Sequence, residues 1–338
     1  MREPGFWWEK PGPAAWLLFP LALIYGAIAG SRMRRAGFRA GIPVICIGNF
    51  TLGGTGKTPT AIAIANLLAA KGETPFFLTR GYGGSLGGPV FVDPATHRAS
   101  DVGDEPLLLS RTAPTIVSRD RAAGAAFAQK AGASVIIMDD GLQNPSLHKD
   151  LSIAVVDARR GLGNGYVFPA GPLRAPLSRQ LAQVHAILVV GAGENSISIE
   201  TLARDRGLPV LRARLEPPRN AAAAIGSRKA LAFAGIGDPD KFYRTLAEAG
   251  IDAMARQSFA DHHQYSEDDA ASILALCEKE ALVPVTTEKD LARLSGQDGA
   301  RGRLAATAKA VPVTLVADDP ALLAELLQNA LKTRRQRD

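Results

Sequence analysis

The sequence has few cysteines and few aromatic residues, and each shortage excludes a class of protein. Cys46 and Cys277 are the only cysteines among 338 residues, and they lie far apart within apolar segments. This usage predicts reduced, buried thiols in a reducing compartment and no zinc site. Phe, Trp and Tyr make up 6% of the chain and do not alternate with basic residues, which argues against a nucleic-acid-binding protein.

The remaining composition is that of a folded protein with an anionic partner. Hydrophobic residues make up 46% of the chain and charged residues 21%, which is enough apolar material for one large α/β domain or two smaller ones. The formal net charge is +6 at pH 7. That sign fits anionic lipid, a phosphorylated substrate or nucleic acid, so the motifs have to decide among these partners.

A glycine-rich segment at residues 51–58 gives the most specific functional signal. It follows an apolar strand pattern at 42–47 and precedes a helical pattern at 60–71, and a chance glycine-rich turn, the alternative, would not need this order. In a phosphate loop, Lys57 would reach the β- and γ-phosphates and the Thr58 hydroxyl would ligate Mg²⁺, while backbone N–H groups and the helix dipole face the phosphate. The predicted nucleotide-binding residues are Thr51, Leu52, Gly53, Gly54, Thr55, Gly56, Lys57 and Thr58.

A second apolar strand pattern at 134–138 ends in two carboxylates, Asp139 and Asp140. In a parallel sheet these side chains would face the same crevice as the phosphate loop, because ligands bind at the carboxyl ends of the strands. The combination predicts a metal-binding strand in which either aspartate is the direct ligand. Taken alone, the same residues fit an ordinary Asp-Asp-Gly turn.

The N-terminal region has the pattern of a membrane-facing segment. Residues 14–30 carry no charge, and as a helix they would be about 25 Å long, short of the roughly 30 Å of bilayer hydrocarbon. Insertion from one side and a full span are both open, as are a secretory signal and a helix buried in the protein's own core. Side chains suited to the headgroup layer and to anionic lipid at the cytoplasmic face are Trp7, Trp8, Trp16, Arg32, Arg34, Arg35 and Arg39.

Strand patterns alternate with helical patterns along most of the chain, which predicts a mostly parallel sheet flanked by helices. The expected fold class is α/β, resembling a P-loop NTPase, with a smaller C-terminal α/β domain that begins where the pattern restarts after the alanine run at 221–224. The predicted units are an N-terminal membrane-associated helix at 1–36, a nucleotide-binding domain at 37–225 and the smaller domain at 226–338.

Two polar clusters predict an acid–base pair. Asp104 and Glu105 precede a helical run, and His262 lies in a polar segment at 259–265. A hydroxyl that attacks a γ-phosphate needs a carboxylate to take its proton, and an imidazole can orient that carboxylate. The alternatives are a helix N-terminal cap for the carboxylates and an ordinary loop for the histidine.

Three arginines lie in loops that follow predicted strands: Arg80, Arg119 and Arg174. Loops at one edge of a parallel sheet converge, so these side chains are candidates for binding phosphate groups. Solvated arginines on ordinary surface loops are the alternative for each of them.

Seven motifs in order give the chain a specific resemblance. They are 48–59 (GNFTLGGTGKTP), 80–84 (RGYGG), 103–106 (GDEP), 139–143 (DDGLQ), 171–174 (GPLR), 261–262 (DH) and 286–290 (TTEKD). With these motifs the chain resembles the tetraacyldisaccharide 4′-kinases, the lipid A 4′-kinases of Gram-negative bacteria. The resemblance covers nearly the whole chain. Thr51 stands where the general phosphate loop has glycine, and it agrees with the variant loop of this family.

The resemblance implies an enzyme that uses ATP and Mg²⁺ to phosphorylate the 4′-hydroxyl of a tetraacylated glucosamine disaccharide 1-phosphate in lipid A biosynthesis. The implied catalytic residues are Asp104, as a base paired with His262, and Lys57. The implied metal site involves Thr58, Glu105, Asp139 and Asp140. The candidates for the sugar and phosphate region are Arg80, Tyr82, Arg119, Gln143 and Asn164.

The expected partners are the acylated disaccharide lipid and an anionic membrane surface, at the cytoplasmic face of the bacterial inner membrane. Neither nucleic acid nor an obligate protein partner is expected. The alternative function is a membrane-recruited P-loop ATPase of the partitioning or site-selection type, which also contains Gly-Gly-x-Gly-Lys-Thr. Such proteins carry a lysine before the paired glycines, where this chain has Leu52, and place the amphipathic membrane segment at the C-terminus.

Overall fold

Continuous apolar runs form the central strands, as is typical of strands that helices cover on both faces. The computed structural model describes residues 3–226 and 229–336. The strands in these ranges are β1 (Val44–Gly48), β2 (Pro75–Thr79), β3 (Val90–Phe91), β4 (Thr115–Val117), β5 (Val135–Asp139), β6 (Leu151–Asp157), β7 (Ala186–Val190), β8 (Val210–Glu216), β9 (Ala230–Ala234), β10 (Ala253–Ser258), β11 (Val283–Thr286), β12 (Lys309–Ala310) and β13 (Thr314–Ala317).

Helices connect most of these strands, after a short 3₁₀ turn at Gly5–Trp7. They are α1 (Pro13–Arg32), α2 (Lys57–Ala69), α3 (Ala99–Val102), α4 (Asp104–Leu109), α5 (Arg121–Lys130), α6 (Leu177–Leu181), α7 (Ser196–Arg204), α8 (Ala221–Ile225), α9 (Pro239–Glu248), α10 (Glu267–Lys279), α11 (Glu288–Leu294), α12 (Gly299–Thr307) and α13 (Pro320–Arg335).

The larger sheet places two predicted motifs side by side. Its order is β13-β8-β7-β6-β1-β5-β2-β4-β3, and it is parallel except at the edge strands β13 and β3. This confirms the predicted mostly parallel α/β sheet. β1 and β5 are neighbours with Ile47 opposite Asp139, so the loop after β1 and the carboxylates after β5 lie at the same edge.

Two apolar layers cover the larger sheet. One layer packs α2 against β1, β5 and β6, with Ile64 and Leu68 fully buried. On the opposite face, Ala125 and Ala128 of α5 pack with Leu181 of α6. Burial of an aliphatic side chain of this size contributes about 1.5–3 kcal/mol, so both layers hold the strands that carry the site.

A second sheet, with the order β10-β9-β11-β12, is parallel throughout. Helix α9 packs on one face through Phe242 and Leu246. Helices α10 and α12 pack on the other face through Ile273 and Leu304. This sheet is the smaller α/β unit expected from the sequence.

The predicted extent of that unit, 226–338, needs a correction at its C-terminal end. β13 pairs antiparallel with β8 of the larger sheet, with Leu315 opposite Leu215. One face of α13 is buried against the same sheet through three leucines spaced four residues apart, namely Leu323, Leu327 and Leu331. The chain returns because β8 would otherwise be an open sheet edge. The other predicted domain limits stay predictions.

Helix α1 lies on the surface of the larger unit, and its buried face is made of small residues. Ala15, Ala22, Gly26 and Gly30 are buried. A Cβ atom at Gly26 would lie 3.5 Å from the ring of Pro176, so the helix packs closely there. Large apolar side chains on its other faces are exposed, which contradicts a helix buried in the protein's own core: Trp16, Leu17, Phe19, Leu21, Leu23, Ile24, Tyr25 and Ile28. By length and composition alone, α1 could cross a membrane.

Candidate active site

The phosphate loop connects the carboxyl end of β1 to α2. Gly53 and Gly56 have positive φ angles of 92° and 100°, which other residues adopt only with strain. Gly56 is the N-cap of α2, so the first amides and the positive end of the helix dipole face the loop. The side chains of Lys57 and Thr58 follow directly and are buried.

The first part of the loop is held by the segment 171–174. Thr51 forms a β-bridge with Leu173, and the Leu52 N–H donates to the Pro172 carbonyl over 2.8 Å. Thr51 does not adopt a positive φ, so this position does not require the glycine of the general pattern. The sequence variant is therefore compatible with the loop conformation.

Asp140 is surrounded by cations. The Arg174 Nη1 atom donates to its Oδ1 atom over 2.7 Å, and the Lys57 Nζ atom lies 3.8 Å from its Oδ2 atom. Burial alone would raise the pKa of Asp140, but Arg174 and Lys57 outweigh it and hold the pKa well below its usual range. Asp140 is therefore a fully ionised carboxylate whose charge is already balanced.

Asp139 is buried without such balance. Neither of its carboxylate oxygens has a hydrogen-bond partner among the described residues. Burial, helped by the negative charges of Glu105 and Asp140, raises the pKa of Asp139 to about 7. A buried carboxylate with no donor is costly unless a cation binds it.

The residues at this point fit a magnesium ion. Within 3–226 and 229–336, no cluster of three His, Cys, Asp or Glu residues could hold a metal. Nucleotide-bound Mg²⁺ does not require one, because it keeps several waters and phosphate oxygens and takes only one or two protein ligands. The Thr58 hydroxyl and the unpartnered Asp139 carboxylate are ligands of the preferred kind.

Asp104 and His262 meet at the junction of the two sheets. The His262 Nδ1 atom lies 3.4 Å from the Asp104 Oδ2 atom, and the Arg293 Nε atom donates to the same oxygen over 2.7 Å. Burial would raise the pKa of Asp104, but hydrogen bonding to His262 and the charge of Arg293 bring it well below its usual range. The structure thus brings the predicted pair together, with an arginine as a third member.

Arg293 is the functional residue that sequence reasoning missed. Its guanidinium is buried and also donates to the Asp290 Oδ1 atom and the Gly235 carbonyl, both over 2.8 Å. The Tyr265 hydroxyl donates to Asp290 as well. The signal was available, because Arg293 follows the motif at 286–290 by three residues and shares a helix face with Asp290.

Glu105 has a cation partner of its own. Its carboxylate contacts the Lys289 ammonium from α11. Burial lowers the pKa of Lys289, but Glu105 and Asp104 outweigh it and hold the pKa far above its usual value. Glu105 is therefore part of the contact between the two units as well as a neighbour of Asp139.

Tyr82 lies at the mouth of this junction, Arg119 contacts the loop that carries Tyr82, and Arg80 precedes that loop in the sequence. Tyr82 is exposed, and its ring centroid lies 5.0 Å from that of His262. Arg119 donates to the carbonyls of Gly84 and Ser85 over 3.4 and 3.3 Å. Arg80 is exposed at the end of β2.

Gln143 and Asn164 make mainly internal contacts. Gln143 donates to the Asn49 carbonyl and to Gln180 Oε1, both over 2.7 Å. It therefore connects the segment after β5 to the start of the phosphate loop. Asn164 donates to the carbonyls of Phe6 and Ala170 and accepts from the Tyr166 N–H. Its amide therefore holds its own loop against the N-terminal segment.

A cavity of about 340 Å³ adjoins Asp104, His262 and Arg293 and is also lined by Tyr82 and Asp261. The site combines a phosphate loop, a buried carboxylate that could bind a metal ion, and an ionised carboxylate beside a cavity. This combination is that of the P-loop phosphotransferases.

Comparison with known proteins gives the particular family. The family of tetraacyldisaccharide-1-P 4′-kinases matches residues 14–332. The tetraacyldisaccharide 4′-kinase of Nitrobacter winogradskyi is 52% identical over 341 residues, covering 100% of both chains. That of Methylobacterium nodulans is 54% identical over 321 residues, covering 95% of this chain and 93% of the relative. The crystal structure of LpxK from Aquifex aeolicus in complex with ATP aligns with a TM-score of 0.71 at 25% identity, over 94% of this chain and 99% of that one.

The chain therefore belongs to the tetraacyldisaccharide 4′-kinase family, and it is a kinase. This confirms the resemblance found in the sequence. The alternative, a membrane-recruited ATPase of the partitioning type, is not favoured, because the matches extend over the whole chain at about half identity rather than over the phosphate loop alone.

The ion pair at the junction predicts a pH-dependent stability. Burial lowers the pKa of His262, but Asp104, with smaller contributions from Asp261 and Glu105, raises it above its ordinary value. A histidine whose pKa is higher in the folded state stabilises the fold fully when the pH is below its unfolded-state pKa of about 6.5. This stabilisation is lost as the pH rises through its folded-state pKa. Urea unfolding should therefore show wild type more stable than His262→Asn by a larger margin at pH 6 than at pH 9.

The matched control for this measurement is the same substitution, His262→Asn, made in Asp104→Asn, because that variant lacks the carboxylate that raises the pKa of His262. In that background the stability margin of the histidine should change less between the two pH values. An equal margin for His262→Asn at both pH values would contradict a charged His262–Asp104 pair.

Proposed function

We propose that this chain transfers the γ-phosphate of ATP to the 4′-hydroxyl of a tetraacyldisaccharide 1-phosphate at the edge of the larger sheet. The observation that carries the proposal is the pairing of β1 with β5, which sets the phosphate loop beside the unpartnered carboxylate of Asp139. The second unit adds Arg293 and His262 to Asp104 at the same place. The relatives' names, tetraacyldisaccharide 4′-kinase, supply the acceptor.

Lys57 is the phosphate-binding cation in this proposal. Burial lowers the pKa of its ammonium, and Asp140 offsets only part of that cost. A buried cation whose charge is only partly balanced is stabilised when a further anion binds beside it. Charge that develops on the transferring phosphoryl group in the transition state is such an anion.

Thr58 and Asp139 would hold Mg²⁺, with Asp140 and Glu105 near it. Asp139 is the better direct ligand, because Asp140 is engaged by Arg174 and Glu105 by Lys289. When bound, Mg²⁺ supplies neutralisation of the charge on the β- and γ-phosphates.

Asp104 acts as the base that receives the proton of the 4′-hydroxyl. Arg293 keeps this carboxylate ionised and fixes its orientation, and His262 balances the charge and faces the cavity. A carboxylate of low pKa is adequate here, because phosphoryl transfer passes through a loose transition state in which positioning contributes more than basicity.

The remaining polar residues divide between substrate and scaffold. Tyr82 lines the cavity beside His262, and with Arg80 and Arg119 it would contact the sugar that carries the 4′-hydroxyl. Gln143 positions the metal strand against the phosphate loop. Asn164 supports the loop that packs beside α1. It would affect lipid binding by holding that loop in place and not by contacting the lipid.

The exposed face of α1 places the enzyme at a membrane in this proposal. Eight large apolar side chains are exposed on this one helix, a feature typical of protein or membrane interaction sites, and arginines follow the helix at once. Such a segment suits the anionic cytoplasmic face of the inner membrane, where ATP and the acylated acceptor are both accessible.

Lys57→Ala tests the nucleotide site. The variant should lose at least about a hundredfold in kcat, since removal of one group that stabilises transition-state charge costs this much at comparable sites. Its fold should persist, because the buried ammonium is itself destabilising. The measurement is transfer of labelled γ-phosphate to the lipid disaccharide, with the exposed Lys71→Ala as control. Near-normal transfer by folded Lys57→Ala would refute the phosphate-loop assignment.

A double-mutant cycle tests the base. Asp104→Asn keeps the shape but removes the basicity, and loss of a general base costs about 10²–10⁴-fold in rate. If His262 acts through Asp104, adding His262→Ala to Asp104→Asn should lower kcat little further. Multiplicative defects in kcat would show independent roles. ATP affinity, measured by equilibrium binding, should stay near wild type, whereas a large loss in Asp104→Asn would assign that carboxylate to the metal.

Charge substitutions on α1 test membrane binding without removing the helix. Leu17 is 80% exposed and Ile24 is 61% exposed, so Leu17→Glu with Ile24→Glu should leave the fold intact. Each buried carboxylate is costly in the bilayer interface or core, so the protein should shift to the soluble fraction in a vesicle-pelleting assay. The control is Ile197→Glu on α7, where the side chain is 74% exposed. Equal pelleting of all three proteins would show that α1 is not the anchor.

A further inference from the structure

A second cavity of about 200 Å³ lies between the end of α1 and the loop 141–149, and its lining includes Gln143, whose amide donates to the Asn49 carbonyl. Backbone pairing closes it on one side, since the Phe38 N–H donates to the Ser146 carbonyl and the His148 N–H donates to the Phe38 carbonyl. Gly37 is needed there, because a Cβ atom would lie 2.5 Å from the Pro145 carbonyl oxygen. The cavity is therefore a constructed feature of the fold and not a gap between mobile surface loops.

The lining of this cavity is basic. The side chains that bear chemistry are Arg35, His148, Lys149, Ser152 and His185. The Lys149 ammonium donates to the carbonyls of Leu142 and Asn144 over 2.9 and 2.7 Å. Within the described parts of the chain, no carboxylate lies within salt-bridge distance of it. Lys149 is half-buried, and a positive charge that has lost part of its water without gaining a counter-ion favours the binding of an anion.

Asp150 follows Lys149 in the sequence, and its carboxylate already has partners. Its Oδ2 atom accepts the Val44 N–H over 2.8 Å. Its Oδ1 atom lies 3.8 Å from the His148 Nε2 atom and 3.9 Å from the Arg334 Nε atom. Asp150 therefore has contacts of its own with Val44, His148 and Arg334 and forms no salt bridge with Lys149 among the described residues.

His185 and Ser152 add hydrogen-bond donors. The His185 Nδ1 atom accepts the Ser152 N–H over 2.9 Å, so in the neutral ring the proton lies on Nε2, and Nε2 is a donor. The Ser152 hydroxyl is 1% exposed, and its oxygen has no partner among the described residues. A buried hydroxyl without a partner is uncommon in a folded protein.

We propose that this cavity binds a phosphate group carried by a lipid, with Lys149, Arg35, Ser152 and His185 as its ligands. The ammonium, guanidinium, hydroxyl and imidazole donors are the set that a tetrahedral oxyanion takes. The cavity adjoins the end of α1, where lipid phosphates would lie if that helix rests in the bilayer. The proposal thus rests on the proposed function for its position, and two lipids have the required chemistry: the acceptor, through its 1-phosphate, and an anionic phospholipid of the bilayer.

Ser152→Ala separates a binding role from a structural one. Because the hydroxyl has no partner in the protein, its removal should leave the melting temperature equal or higher without ligand. Glucosamine 1-phosphate should raise the melting temperature of wild type but raise that of Ser152→Ala less, corresponding to about tenfold weaker binding. A saturating non-hydrolysable ATP analogue with Mg²⁺ keeps the probe out of the phosphate loop. The control is Ser198→Ala, an exposed serine of α7 that hydrogen-bonds only a local carbonyl.

This thermal measurement does not depend on turnover. Equal shifts in wild type and Ser152→Ala, or no shift in either, would overturn the cavity proposal. A clear difference in a protein that phosphorylates no lipid would instead leave the cavity standing and refute the kinase mechanism. His185→Asn, whose oxygen can still accept the Ser152 N–H, gives a second variant that should weaken binding in the same way.

Steady-state kinetics identify which lipid carries the phosphate. For the acceptor, Ser152→Ala should raise KM about tenfold while kcat and the KM for ATP stay near wild type. If the increase disappears with an acceptor that lacks the 1-phosphate, the substrate is the source. If it persists with that acceptor but disappears in vesicles of phosphatidylcholine without phosphatidylglycerol, the bilayer is the source. An unchanged KM under every condition would contradict the proposal.

Discussion

The buried guanidinium of Arg293 connects the two sheets at the candidate active site. Arg293, from α11 of the smaller unit, pairs with Asp104 of α4 in the larger unit and with Asp290 on its own helix. Breaking a buried ion pair by removing one partner costs about 3–5 kcal/mol, because the remaining charge stays buried. Among the described residues no strand belongs to both sheets, so the distance between His262 and Asp104 depends on side-chain contacts of this kind.

Two of the three carboxylates near the phosphate loop have cationic partners, and the third has none among the described residues. Asp140 has Arg174 and Lys57, and Glu105 has Lys289. Asp139 alone keeps two buried oxygens without a donor. Because the neighbouring carboxylates are neutralised, an added cation would be drawn to Asp139 rather than shared among three acids. The same arrangement explains why Asp139 and Asp140, adjacent in sequence, have pKa values shifted in opposite directions.

Local pattern predicted the elements that form the nucleotide site, because each depends on short-range features. The apolar runs of β1 and β5, the glycines after β1 and the Asp-Asp pair are all readable in a window of a few residues. The return of 314–335 to the larger sheet and the burial of Arg293 are long-range outcomes. Both outcomes depend on which surfaces of the two sheets remain uncovered once the rest of the chain has folded. Neither composition nor periodicity predicts which surfaces these are. The residue motifs of the family supplied Asp104 and His262, which local pattern alone left open.

The N-terminal segment connects helix α1 to both units. Glu3 pairs with Arg160, which also lies 3.2 Å from Asp238 of the smaller unit. The Trp7 indole N–H donates to the Pro169 carbonyl over 3.0 Å. Because α1 begins a few residues after these contacts, its orientation is coupled to the edge of the sheet that carries the phosphate loop. A bilayer that fixes α1 would therefore also fix the direction in which the cavity beside Asp104 opens, so that an acylated sugar could reach the base while its chains stay in the lipid.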